Sequence, residues 1–135
     1  EKLKTWLRAH PEEGRALMRR NRSFIFFRVA DELNAEDGPI GGAGVALQPH
    51  RALAVDRTLW SYGLPFFIAA DVPEEVEPAR RIARLTIAQD TGSAILGAAR
   101  GDLFFGSGEA MGRRAGALRH ATRFIVLLPR ADIAP

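Results

Sequence analysis

Apolar positions along this chain change their period twice. From Lys2 to Arg20 they recur at helical spacing, with Leu3, Trp6 and Leu7 on one face and Ala16 and Leu17 resuming after a break. Pro11 divides the segment. Followed by Glu12 and Glu13, it is suited to the first turn of a second helix that stops near Asn21. Trp6 is expected as a core anchor, and Arg15, Arg19, Arg20 and Arg22 as a solvated helix face. Ser23 to Ala30 is rich in β-formers with little alternation, which predicts a strand buried on both faces. Residues 31–50 are polar and turn-rich. Their Gly41-Gly42-Ala43-Gly44 has the wrong spacing for a dinucleotide fingerprint and reads as a loop whose backbone comes close to something. From Arg51 the pattern becomes short strands between turns: Ala52–Asp56, Pro65–Ala70, Ile82–Gln89 and Arg123–Leu128. An acidic, proline-bracketed surface loop fills 71–81, and a helix over Gly108–Leu118 is expected with Ser107 as its cap. The sum is a mainly β protein with flanking helices, and strands at this spacing suggest a barrel or sandwich.

One stretch breaks the pattern of packing elements. After the apolar run Leu85, Ile87, Ala88, the chain turns polar at Asp90, passes Gly92, Gly97 and Gly101, and delivers Asp102 against Leu103, Phe104 and Phe105. Two carboxylates twelve positions apart thus bracket a glycine-rich loop. An acid lodged against apolar rings is harder to ionise than a solvated one, so Asp102 is expected to hold its proton while Asp90 stays charged. Pairs separated in this way give a site both an acid and a base near neutral pH. Aspartates also cap turns in glycine-rich loops, and from residue types alone both readings stand.

Composition narrows the classes. At 135 residues the chain is one domain, or one domain with part of another. Seventeen arginines and two lysines against sixteen acids give a net charge of only +3, with no basic block interleaved with aromatics, so no nucleic acid partner is expected. Cysteine is absent, and His10, His50 and His120 are far apart with no i, i+4 pairing, so no metal and no other cofactor is expected. No apolar run approaches the roughly 18 residues that span a bilayer. Opening at Glu1 without a methionine reads as the start of a processed or truncated chain.

Five ordered motifs carry a resemblance: residues 21–28 (Asn-Arg-Ser-Phe-Ile-Phe-Phe-Arg), Gly38-Pro39-Ile40-Gly41, Leu53-Ala54-Val55-Asp56, Ala88-Gln89-Asp90-Thr91-Gly92-Ser93-Ala94-Ile95 and Arg100-Gly101-Asp102-Leu103-Phe104. In this order they resemble the C-terminal part of the membrane-bound lytic murein transglycosylase A (MltA) family. The later portion resembles its three-aspartate (3D) domain, with Asp56, Asp90 and Asp102 as the three. Gly106-Ser107-Gly108-Glu109 and Val126-Leu127-Leu128-Pro129 extend the match nearly to the end. The resemblance implies a double-psi β-barrel over 31–135, with some strands contributed by chain absent here. Residues 1–30 would finish a second, substrate-binding domain. It further implies a monomer that cuts peptidoglycan glycan strands in the periplasm, held at the outer membrane by an N-terminal lipid anchor absent from this chain. By the same resemblance Asp102 is the catalytic acid, Asp90 lies beside it, and Asp56, Thr91, Gly92, Ser93 and Phe104 bind substrate or support the site. Trp60-Ser61-Tyr62-Gly63, where the family often has Ile-Pro-Leu-Gly, and Ser93 in place of a second glycine depart from the pattern. Both alter turn geometry and leave the carboxylates in place.

The chemistry implied is cleavage of the β-1,4 bond from N-acetylmuramic acid to N-acetylglucosamine, leaving a 1,6-anhydro ring, with one aspartate as acid and then base. Two rivals come from other classes. Asp90-Thr91-Gly92-Ser93 also reproduces the Asp-Thr-Gly-Ser of an aspartic peptidase half-site. A glycan-binding barrel without catalysis, in the manner of expansins, is the other.

Overall fold

The computed structural model describes residues 2–23, 26, 29–31, 33–34 and 37–130. The chain divides into two compact units, residues 1–32 and 33–135. In the first, α1 (Lys2–Ala9) and α2 (Pro11–Arg19) meet at His10. Pro11 opens α2 because a first-turn position needs no N–H, and Glu12 and Glu13 face the positive end of the helix dipole. Gly14 is the one buried residue of the pair, packed against Leu7, where a Cβ would lie 3.1 Å from Leu7 Cδ2. Trp6 does not anchor a core. It is 39% exposed and stacks on His10 at 4.8 Å, because two short helices bury too little surface to enclose an indole. The four arginines of α2 and its end are exposed, as a solvated face should be. The strand expected over 23–30 includes residues 24, 25, 27 and 28, which lie outside the described set.

The second unit is built on one sheet. Its strands are β1 (Ala52–Val55), β2 (Pro65–Asp71), β3 (Arg81–Asp90), β4 (Gly101–Leu103) and β5 (Arg123–Val126). They lie in the order β4-β1-β3-β2-β5, with β1 and β3 parallel and every other pair antiparallel. Alternation decides the faces. Phe66, Ile68 and Ala70 of β2 point inward, with Phe66 wholly buried, while Phe67 between them is 37% exposed. Leu53, Val55, Phe66 and Ala88 form one core cluster. A second gathers Ile68, Ala70, Val72, Val76, Ile82 and Phe105, covered by Met111, Ala115 and Leu118 from α3 (Glu109–Ala117) and the residue that caps it. Thr86 is fully buried and satisfies its hydroxyl on the Phe66 carbonyl at 3.0 Å, the condition for a polar group at that depth.

The two edge strands curl toward each other. Phe124 of β5 packs against Phe66 with tilted rings 4.9 Å apart and approaches Gly101 of β4 so closely that a Cβ there would lie 2.9 Å from its ring. The result is a half-barrel rather than a flat sheet. Two expectations about connections need correction. The acidic 71–81 segment is turn-rich, yet Val72 and Val76 are core residues and Glu77 is held between Arg84 (2.9 Å) and Arg114 (3.6 Å). Ser107 does not cap α3. Gly108 takes that position at φ +91, a backbone that glycine adopts without strain, and no side chain bonds the helix end.

Candidate active site

Asp56 and Asp90 sit where strands end and Asp102 lies within β4, and their surroundings differ. Asp56 follows β1 and is 5% exposed. Its carboxylate accepts the Thr58 amide (2.9 Å), the Thr58 hydroxyl (2.6 Å) and the Gly97 amide (2.7 Å). These donors, the Thr58 hydroxyl first, hold its carboxyl below the ordinary carboxylate value of 3.8. The Asp56 carbonyl accepts the amides of Leu59 and Trp60, and the Trp60 indole N–H donates to the Ala98 carbonyl at 3.0 Å. Asp56 therefore ties the 56–60 turn to the 97–98 turn.

Asp90 and Asp102 are brought together by register. Ala54 of β1 pairs with Asp90 across the parallel β3 and with Asp102 across the antiparallel β4. The two carboxylates flank one small residue at the same level. With adjacent strands about 4.8 Å apart, their Cα atoms are roughly 10 Å apart. Asp102 alternates with Leu103 along β4, while a register shift between Leu53 and Ala54 brings Asp90, two residues after the core residue Ala88, level with the same position of β1.

Asp90 is half-buried and oriented, its Oδ1 accepting the Gly42 amide at 2.9 Å. The glycine loop earlier read as a close backbone approach supplies that donor. Gly41 donates to Val45, Ala43 donates to Gln89 at 3.0 Å, and a Cβ on Gly41 would lie 2.6 Å from the Gln89 carbonyl. Asp102 is freer. Its side chain is 55% exposed, and among the described residues its one ion-pair partner is Arg100, with Nε 3.0 Å from Oδ1.

The aromatic wall expected beside Asp102 is not built by its neighbours in sequence. Phe105 is 2% exposed, a core residue whose ring meets His50 edge-on at 5.0 Å. Phe104 reaches toward Gly38, where a Cβ would be 3.1 Å from its ring. In extended backbone successive side chains diverge, so adjacency in sequence is not adjacency in space. Of the supporting residues, Thr91 fastens β3 to β1 by donating its hydroxyl to the Val55 carbonyl at 2.9 Å. Gly92 turns the chain so that its carbonyl accepts the Ile95 amide, and Ser93 is exposed. Arg100, Gly42 and Tyr62 join the site without having been singled out as functional. Arg100 was quoted only inside a motif, and Gly42 only as part of a loop.

Arg100 and Asp102 stand on the rim of a concavity of about 960 Å³ between β4, β5 and the end of α3, floored by Leu53, Ile68, Ile82 and Phe124 and edged by Arg119 and His120. Among the described residues no group of three or more His, Asp or Glu could hold a metal ion.

Comparison with known proteins bears on this geometry. The family model of the 3D domain matches residues 51–128, and that of the MltA specific insert domain matches residues 1–28. Membrane-bound lytic murein transglycosylase A of Vibrio cholerae is 32% identical over 126 residues, covering 90% of this chain and 32% of that protein. The crystal structure of the membrane-bound lytic murein transglycosylase from Agrobacterium tumefaciens is similar with a TM-score of 0.79 at 46% identity, over 96% of this chain and 34% of that one. Escherichia coli MltA with bound chitohexaose gives a TM-score of 0.75 at 23% identity, over 93% and 38% of the two chains, and shows the fold alone. The chain thus spans about a third of the length of these relatives. The half-barrel corresponds to part of the double-psi β-barrel of these structures. With the 3D-domain match running through all three aspartates and the insert-domain match preceding it, the chain belongs to the MltA family of lytic murein transglycosylases.

Proposed function

We propose that this chain carries the catalytic aspartates of a lytic transglycosylase acting on peptidoglycan glycan strands. Asp102 donates a proton to the glycosidic oxygen as the C1–O bond between N-acetylmuramic acid and N-acetylglucosamine breaks with oxocarbenium character. The resulting carboxylate takes the proton of the muramyl C6 hydroxyl, whose oxygen bonds to C1 and closes the 1,6-anhydro ring. The proton borrowed is returned, and no water is consumed. One group serves as acid and then base. An internal nucleophile gives the reaction the advantage of proximity. Asp90, ionised and held by the Gly42 amide, faces the developing positive charge.

The observation that carries this reading is the shared pairing of Asp90 and Asp102 with Ala54, inside a region matched as a 3D domain. The exposure of Asp102 adds a condition. In the free chain its carboxyl is open to water and paired to Arg100, and on this reading the seated glycan displaces that water. On this reading residues 1–30 finish the substrate-binding domain, and the intact protein works as a monomer in the periplasm at the outer membrane. Binding of chitohexaose is a property of Escherichia coli MltA, and the proposal extends glycan binding to this chain. The aspartic peptidase reading gains no support, since its tetrapeptide lies within the 3D-domain match.

Mass spectrometry of the soluble products of murein digested by the intact protein tests the proposal. Anhydro-muropeptides are expected from the wild type, with release lowered about 10²- to 10⁴-fold by Asp102→Asn. Reducing-end products or near-normal release by the variant would overturn it. Binding to sacculi without soluble product would mark a glycan-binding module instead.

A further inference from the structure

We infer that Tyr62 and Gly42 form a coupled positioning pair that sets the orientation of Asp90. This inference rests on the functional reading above. It starts from a segment that departs from the family pattern, Trp60-Ser61-Tyr62-Gly63. The segment is tightly held. Trp60 bonds Ala98 and meets Phe66 edge-on at 5.5 Å, and the Gly63 amide donates to the Ala88 carbonyl at 2.8 Å, two residues before Asp90. Arg57 lies over the Tyr62 ring, its guanidinium carbon 3.8 Å from the centroid, and is itself tied to the Trp60 carbonyl at 2.9 Å. The ring is thereby fixed, and its hydroxyl points at Gly42.

The approach at Gly42 is closer than any other residue type allows. A Cβ there would lie 2.2 Å from the Tyr62 hydroxyl oxygen and 3.0 Å from the carbon bearing it. The phenol oxygen occupies the space a side chain at 42 would take. The same hypothetical Cβ would be 3.5 Å from Asp90 Oδ1, and the Gly42 amide donates to that oxygen at 2.9 Å. Tyr62, Gly42 and Asp90 are thus in sequential contact, and the backbone that orients the carboxylate rests against the phenol. Tyr62 is a positioning residue, acting on Asp90 through the 41–44 loop. No positive φ is needed at Gly42, so what excludes alanine there is the phenol alone.

That makes the pair testable by suppression. Gly42→Ala forces the loop and the phenol apart and withdraws the amide from Asp90. In the intact protein, assayed on murein sacculi, it should lower kcat on the order of tenfold to a hundredfold with KM within about twofold. Adding Tyr62→Leu removes the obstruction. The double variant should recover at least about fivefold over Gly42→Ala, a non-additivity that contacting residues show and independent ones do not. Tyr62→Leu alone, which leaves the loop unsupported, should lower kcat a few-fold. A double variant no better than the product of the two single effects would overturn the inference. Should Gly42→Ala fail to fold, folding restored by Tyr62→Leu supports the coupling, and wild-type kcat in Tyr62→Leu overturns the positioning role. Wild-type release of anhydro-muropeptides and the effect of Asp90→Asn, measured in the same assay, report on the functional reading separately.

Discussion

Two carboxylates beside one short strand are held in opposite states. At Asp56, where β1 ends, three donors converge on a nearly inaccessible carboxylate and lock two turns together. At Asp102, across β1 from Ala54, a half-exposed carboxylate has one solvent-exposed ion-pair partner. Sequence treats them alike, as aspartates following apolar runs. A carboxylate whose oxygens are filled by fixed donors holds structure and has nothing left to offer a substrate. One with open acceptor positions can exchange its partner for a reacting group. The proposed division of labour among the three aspartates follows from the kind of donor each has: three fixed ones at Asp56, one backbone amide at Asp90 and one exposed side chain at Asp102.

The sharpest way to break this contrast is to neutralise each carboxylate. Asp102→Asn should abolish most anhydro-muropeptide release, as above, yet leave the unfolding free energy within about 1 kcal/mol of wild type, since an exposed ion pair contributes about that or less. Asp56→Asn should do the reverse. Its amide presents N–H groups to donors, so the midpoint should fall clearly, while turnover per folded molecule changes far less. A stable but inactive Asp56→Asn protein would exchange the two roles. The acid limb of stability sharpens the point. The folded-state pKa of Asp56 lies below its unfolded value, so its contribution is present above about pH 3.8 and is lost as pH falls through the lower folded value. Urea midpoints measured from pH 5 down to 2 should drop in wild type and flatten in Asp56→Asn.

This contrast also marks how much could be read from residues alone. The helix pair split at Pro11 and four strands were legible within a residue or two at each end, because apolar alternation and proline placement are local signals. β4 was not, since Gly101–Leu103 is too short to show a period. Nor was the parallel pairing of β1 with β3, which sets Asp90 and Asp102 on either side of Ala54 and depends on chain far away. The glycines at 41–44 announced a close approach but not to what. Asp102 was misplaced beside aromatic rings because Phe105 is drawn into the core against His50, a contact no local pattern encodes.

A smaller effect is expected at Arg100. Arg100→Gln removes the ion pair to Asp102, and because both side chains are about half exposed the pair is readily exchanged. Stability should change by less than about 1 kcal/mol. Turnover should shift by less than about tenfold, and the ratio of wild type to variant should approach one as salt is raised toward about 0.5 M, where exposed charges are screened. A ratio unmoved by salt would show that Arg100 acts through packing rather than charge.

The smallest effect tests the far side of the same strand pair. His50 precedes β1, adopts φ +60, and donates its amide to the Phe104 carbonyl at 2.7 Å, so it braces the chain just beyond Asp102. Its Nδ1 is buried without a partner among the described residues. Burial first, then Arg84 and Arg114, push its pKa below 6.5, against the opposing pull of Glu77. A folded-state value below the unfolded one means that the unfolded chain binds more protons between the two. Stability is therefore full above about pH 6.5, declines as pH falls through that interval, and levels off below the folded value. His50→Asn keeps the left-handed backbone, which asparagine tolerates, and removes the titration. Subtracting the variant's urea midpoints from those of wild type between pH 7.5 and 5 should leave a small positive slope with pH. A difference that does not vary across that range would mean that the imidazole is not held neutral by its surroundings, and that the brace beyond Asp102 owes its strength to the backbone alone.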